Sequence, residues 1–236
     1  MSAPRTVLVT GASEGIGRAT AFALGRAGWQ VGVCARTASR LVTLVAELGK
    51  EGIRAAGRAG DVGNEQDAPA IVRHVVDRLG PIDALVNNAG VLIAKPIEDL
   101  ALEEWDRTMA TNLRSLFLMT REVLPDMRRR RHGTVVNIAS LAGRNGIVGG
   151  TAHSASKHGV LGFSKSLMLE VRKENVRVVA ICPGSVGTAM LRDQPLLKAD
   201  PGRILRPEDV AATVLHVLEL PERALVSELD IRPTNP

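Results

Sequence analysis

Short, nearly unbroken apolar runs alternate along this chain with longer stretches in which apolar residues recur every three or four positions. Thr6-Val7-Leu8-Val9 and Val31-Gly32-Val33-Cys34-Ala35 read as strands, followed by strands over 53–59, 83–87, 134–139, 176–182 and 225–231. Helical period runs over 15–28, 38–51, 64–79, 102–130, 152–174 and 207–219. A strand that is apolar on both faces must be covered on both, which is the condition of a parallel sheet carrying helices above and below. The alternation therefore predicts an α/β fold, a doubly wound parallel sheet of about seven strands with helices on both faces. No repeat, low-complexity tract or Ser/Gly linker breaks the pattern, so residues 1–236 read as a single domain. In such a sheet ligands gather beyond the carboxyl ends of the strands, and functional residues are expected just after strands.

Composition narrows the class. Hydrophobic residues make up 45% and charged residues 23%, which suits a globular core and excludes a disordered or disulfide-scaffold chain. Only three Phe, two Trp and no Tyr are present, so Ala, Val, Leu and Ile must fill the core. Cys34 and Cys182 each lie in an apolar strand run, as reduced core thiols do. The amino-terminal residues lack the apolar stretch of a signal peptide, and no run is long enough to span a bilayer, so a cytoplasmic protein without membrane insertion is expected. The net charge of +5 concentrates visibly in Arg128-Arg129-Arg130-Arg131-His132. Nucleic-acid binding asks for a whole basic face, and acids are spread throughout, so the run reads as a solvated helix end favoured by the macrodipole.

The first strand leads directly into Thr10-Gly11-Ala12-Ser13-Glu14-Gly15-Ile16-Gly17 and then a helix. Glycines there permit a tight turn and close backbone approach to a pyrophosphate, which the free N–H groups of the helix start then bind. The spacing is G-x-x-x-G-x-G rather than G-x-G-x-x-G, and its context of strand, turn and helix is what gives it weight.

With this turn, the chain resembles the short-chain dehydrogenase/reductase family, and the resemblance continues in order through Asp61-Val62, Asn87-Asn88-Ala89-Gly90, Thr111-Asn112-Leu113, Asn137-Ile138-Ala139-Ser140 and Pro183-Gly184. It implies a Rossmann-type fold and hydride transfer between a nicotinamide cofactor and a carbonyl or alcohol. By that resemblance Gly11, Ser13, Gly15, Ile16 and Gly17 would cradle the phosphates. Asp61 and Val62 would contact the adenine, Asn87, Ala89 and Gly90 would support the adenosine side, and Pro183, Gly184 and Thr188 would bound the nicotinamide. The end of the second strand carries Ala35 and Arg36 instead of an acid, with Arg40 a helical turn further on. An Arg pairs with a ribose 2′-phosphate where an acid would repel it, so NADP(H) is expected over NAD(H), although Glu14 in the glycine turn opposes this.

The resemblance also implies a catalytic set of Asn, Ser, Tyr and Lys. Asn112, Ser140 and Lys157 match, but His153 stands where the Tyr belongs, 13 residues after Ser140 and four before Lys157. In the family's roles Ser140 would hold the carbonyl oxygen, Lys157 the ribose and the proton path, and Asn112 a water relay. Lys157 shares a helix face with His153, and its charge disfavours the imidazolium that would have to donate a proton. Imidazole is also shorter than phenol, and a displacement of about 1 Å can cost ~100-fold. Three readings stay open: an impaired enzyme that keeps its cofactor site, a working His-based reductase, and a catalytically inactive NADP(H)-binding or regulatory protein.

The remaining histidines, His74, His132, His158 and His216, lack the Cys or carboxylate partners of a metal site, so no metal is expected. The segment between Thr188 and Pro207 reads as a short substrate lid whose Met190, Leu191, Leu196 and Leu197 suit an apolar small molecule. Family members commonly pair the helices matching 102–130 and 152–174 across two-fold axes, so a homotetramer is expected through Trp105, Phe117, Met119, Leu161, Phe163 and Leu167.

Overall fold

The structure, a computed structural model, describes residues 4–194, 196, 197, 200 and 202–235. Seven parallel strands form one sheet: β1 Thr6–Thr10, β2 Gln30–Ala35, β3 Ala55–Ala59, β4 Ala84–Asn87, β5 Gly133–Ile138, β6 Val176–Pro183 and β7 Glu228–Ile231. Their order is β3-β2-β1-β4-β5-β6-β7, so the winding direction reverses between β1 and β4 and opens a crevice there. Helices α1 Gly15–Arg26, α2 Ala38–Lys50 and α3 Asp67–Leu79 connect the first half. In the second half lie α4 Leu102–Met109, α5 Ser115–Arg130, α6 Thr151–Val171, a single turn α7 Ala189–Arg192, and α8 Pro207–Glu219.

Alternate residues of each strand feed two cores. Val7, Val9, Val31 and Val33 pack with Leu24 of α1, Leu44 and Leu48 of α2 and Val210 and Val214 of α8. Leu8, Leu85 and Val135 face the opposite way, onto Ile71 and Val75 of α3 and Met119 and Met127 of α5. Each fully buried side chain of this size contributes roughly 1.5–3 kcal/mol, which is why β1, β4 and β5 carry no polar face to water. The stretch 102–130 departs from the single helix expected, because residues Ala110–Arg114 form a π turn between α4 and α5. Strands expected from 53 and 225 begin at Ala55 and Glu228, and the helix expected from 64 begins at Asp67, since Asn64 and Gln66 close a side-chain turn first.

The arginine run is consumed by the fold. Arg128 pairs with Glu174, Arg129 with Asp126, and Arg130 with both Asp83 and Asp126, while Arg131 ends α5 in the left-handed region at φ 53°. Of the residues expected at a subunit interface, Met119, Leu161 and Leu167 are core, whereas Phe117 is 47% exposed beneath Arg121.

A buried polar chain ties the sheet to the helices that carry the site. Asn87 donates to Asn137 at 2.9 Å and to Thr120 at 3.2 Å, and Asn137 donates to Ser164 at 2.9 Å. Removing the middle member strands an amide hydrogen of Asn87 in a dry core. We expect Asn137→Ala to lower the unfolding free energy by roughly 2–4 kcal/mol in denaturant titration, with an unchanged m-value.

Candidate active site

The carboxyl ends of the strands converge on one cleft of about 590 Å³, a size typical of small-molecule sites. At one end lies the glycine turn. Gly11 and Gly15 adopt φ +62° and +55°, and a Cβ on Gly11 would sit 2.8 Å from the Ala89 backbone. Asn88 fastens the turn, its Nδ2 donating to the Thr10 and Gly11 carbonyls at 2.9 and 3.2 Å. Glu14, at the N-cap of α1, makes no side-chain capping bond, so the first N–H groups of the helix remain free for an anion. Asp61 and Val62 line the adjoining wall, with Asp61 held in a tight turn by the Gly63 amide at 2.8 Å. Arg36 lines the same region with no ion-pair partner among the described residues, and Arg40 pairs with Glu14 at 2.9 Å. That pair neutralises the acid that the sequence set against a 2′-phosphate. A cradle of this depth, free N–H groups and a free Arg fit a phosphorylated dinucleotide.

Most of the expected site residues meet here, and three do not line the cleft. Ser13, Ile16, Ala89, Gly90, Ser140, His153, Lys157, Pro183, Gly184 and Thr188 do. Asn87 is turned into the polar chain beneath the sheet end, and Gly17 is buried where a Cβ would come within 2.4 Å of the Gly11 carbonyl oxygen. Asn112 is fully buried under the cleft floor. The thiols are inert: burial pushes Cys34 up to about 12 and also raises Cys182.

Around His153 every hydrogen bond can be accounted for. Val91 N–H donates to Asn112 Oδ1 at 2.7 Å, which fixes the orientation of that amide. Asn112 Nδ2 then donates to the Val91 carbonyl at 2.9 Å and to Ser156 Oγ at 3.0 Å, using both its hydrogens. Ser156 in turn donates to the His153 carbonyl at 2.7 Å. His153 Nδ1 lies 3.2 Å from the Val91 carbonyl. Burial, and then the charge of Lys157, hold His153 down to about 4, so the ring is neutral at pH 7. Lys157 Nζ donates to the Ile138 carbonyl at 2.8 Å, and burial lowers it to about 8. Ser140 Oγ accepts from Ala142 N–H at 3.0 Å and keeps its own hydrogen to donate.

The same cleft carries a group of apolar side chains, Leu92, Leu141, Ile147, Met190, Leu191, Leu196 and Leu197. In the segment between Thr188 and Pro207, of which residues 195, 198, 199 and 201 lie outside the described residues, Gln194 Oε1 accepts from Ala94 N–H at 2.9 Å. Val91 escaped the sequence reading because it acts through its backbone, and the role of Asn88 in fastening the turn was not read from its motif. The Asn88 amide was visible in the motif, but a carbonyl such as that of Val91 leaves no side-chain signal.

The short chain dehydrogenase family model matches residues 5–196. A Streptomyces virginiae protein named for ketoacyl reduction in monensin polyketide synthesis is 46% identical over 191 residues, covering 80% of this chain and 73% of that one. A 3-oxoacyl-[acyl-carrier-protein] reductase of Synechocystis is 35% identical over 228 residues, covering 94% and 92%. Among solved structures, a variant of actinorhodin polyketide ketoreductase with NADPH superposes with a TM-score of 0.91 at 37% identity, covering 98% of this chain and 96% of that one. The sequence match, the sheet order and the placement of Ser140 and Lys157 in one cleft agree, and this chain belongs to the short-chain dehydrogenase/reductase family.

Proposed function

We propose that this chain is an NADP(H)-dependent oxidoreductase that interconverts a carbonyl and an alcohol on an aliphatic, uncharged substrate. The observation that carries the reading is the single cleft joining a free helix start and Arg36 at one end to Ser140, His153 and Lys157 and to a group of apolar side chains. The ketoacyl reductase names of the relatives and the NADPH in the ketoreductase structure support it. When bound, NADP(H) supplies the nicotinamide that gives or takes the hydride. The Ser140 hydroxyl would donate to the substrate oxygen, Lys157 would hold the cofactor ribose, and Asn112 positions His153 through Val91. A neutral His153 is a far weaker proton donor to an alkoxide than an imidazolium, so carbonyl reduction near neutral pH is impaired relative to a Tyr-bearing relative. The second copy would pack on α5 and α6, where Phe117 and Leu169 remain exposed, to build a homotetramer.

Three outcomes test this. Each charge-assisted bond from Arg36 to a 2′-phosphate is worth roughly 1.5–3 kcal/mol, so Arg36→Ala should weaken NADPH about tenfold or more in calorimetry and leave NADH nearly unchanged. Equal wild-type affinities for the two nucleotides would refute the cofactor assignment. His153→Tyr should raise kcat/KM for reduction of a diketone or ketoester at pH 7 by at least ~100-fold at an unchanged NADPH dissociation constant. Light scattering at micromolar concentration should return four times the chain mass, and a monomer would reject the assembly.

A further inference from the structure

The hydrogen bonds around position 153 decide more than whether a phenol is missing. With both Asn112 amide hydrogens spent on Val91 and Ser156, nothing donates to His153 Nδ1, and its 3.5 Å approach to Asn112 Nδ2 carries no hydrogen. The partner left to Nδ1 is the Val91 carbonyl at 3.2 Å, which can only accept. Two lone pairs facing each other there would repel, so the ring hydrogen must sit on Nδ1. Nε2 has no partner among the described residues and is not one of the buried unpartnered atoms, so it opens on the cleft that His153 lines.

We infer that His153 is a catalytic proton acceptor, a neutral imidazole protonated on Nδ1 whose Nε2 lone pair takes the hydroxyl proton of an alcohol, so that the site works without prior protonation in the oxidative direction. The inference rests on the oxidoreductase reading above and specifies the proton chemistry of that site. The balance is complete: the alcohol gives its hydroxyl proton to Nε2 and its carbinol hydrogen, as hydride, to oxidised nicotinamide nucleotide. The products are a carbonyl, the reduced nucleotide and an imidazolium, which returns its proton to water at the cleft mouth. Around the ring, the segment after β4 presents the Val91 carbonyl, the π turn presents the Asn112 amide and the loop after β5 adds Ser140 to the cleft. None of these titrates near neutrality. The charged group acting on the ring is Lys157, one turn along α6, and it opposes the imidazolium. Reduction runs the same transition state backwards and needs that imidazolium, so it is confined to acid.

The tautomer can be read without any turnover, by nitrogen-15 NMR of the histidine-labelled apoprotein. The resonance absent from His153→Phe identifies position 153. Expected are a protonated Nδ1 and a bare Nε2, unchanged from pH 8 to pH 5. A ring protonated on Nε2, or charged at pH 7, would overturn the inference. Rates supply the second reading: alcohol oxidation should be flat between about pH 5 and 7, while reduction falls about tenfold per unit over the same range. His153→Phe should lose oxidation by at least ~100-fold with NADPH binding retained, and an oxidation rate left intact in that variant overturns the base assignment. Turnover with the wrong tautomer would sink the inference alone. NADPH binding with the right tautomer and no turnover of any alcohol or carbonyl would sink the oxidoreductase reading and the inference with it.

Discussion

A parallel sheet buried on both faces imposes one constraint from which the rest follows: every strand must leave at the same edge. Seven strands in the order β3-β2-β1-β4-β5-β6-β7 therefore deliver the glycine turn, Asp61, the Asn88–Val91 segment, Ser140 and Pro183 to one rim. None of these residues is close to another in sequence. Their meeting depends on two apolar cores, one led by Val7, Val9, Val31 and Val33 and the other by Leu8, Leu85 and Val135, which make any slip of β1 by one residue exchange its two faces.

On that rim the segment after β4 is the hinge pin. Its Asn88 side chain and amide, with the Ala89 amide, close on Thr10 and Gly11, which shapes the glycine turn. Three residues later Val91 is gripped on both its N–H and its carbonyl by Asn112, and the same carbonyl orients His153. The π turn at Ala110–Arg114 is what brings Asn112 under this segment, and π turns recur where function demands an off-register side chain. Cofactor end and chemical end are thus set by one strand exit.

The electrostatics follow the same economy. Glu14, read by itself, would repel a 2′-phosphate, but Arg40 answers it and leaves Arg36 free. His153, read by itself, is a group that titrates near neutrality, but burial and Lys157 strip its proton and the Val91 carbonyl decides which nitrogen keeps the remaining one. In both places the side chain's chemistry is inverted by a neighbour distant in sequence.

By itself the sequence determined the alternation of strands and helices, the parallel sheet, the glycine turn and the family, because these are written in local period and in ordered short motifs. It also located Ser140, His153 and Lys157, since their spacing survives with the Tyr gone. Tertiary structure alone decided that Asn87 serves the core, that Asn112 lies buried under the cleft against Val91, and that the arginine run is spent on Asp83, Asp126 and Glu174. It alone decided the tautomer of His153 too. The reason is the same in each case: a hydrogen bond is satisfied by whichever partner the fold brings within about 3 Å, and for His153 that partner is the backbone carbonyl of Val91, a group identical in every residue and therefore silent in any sequence.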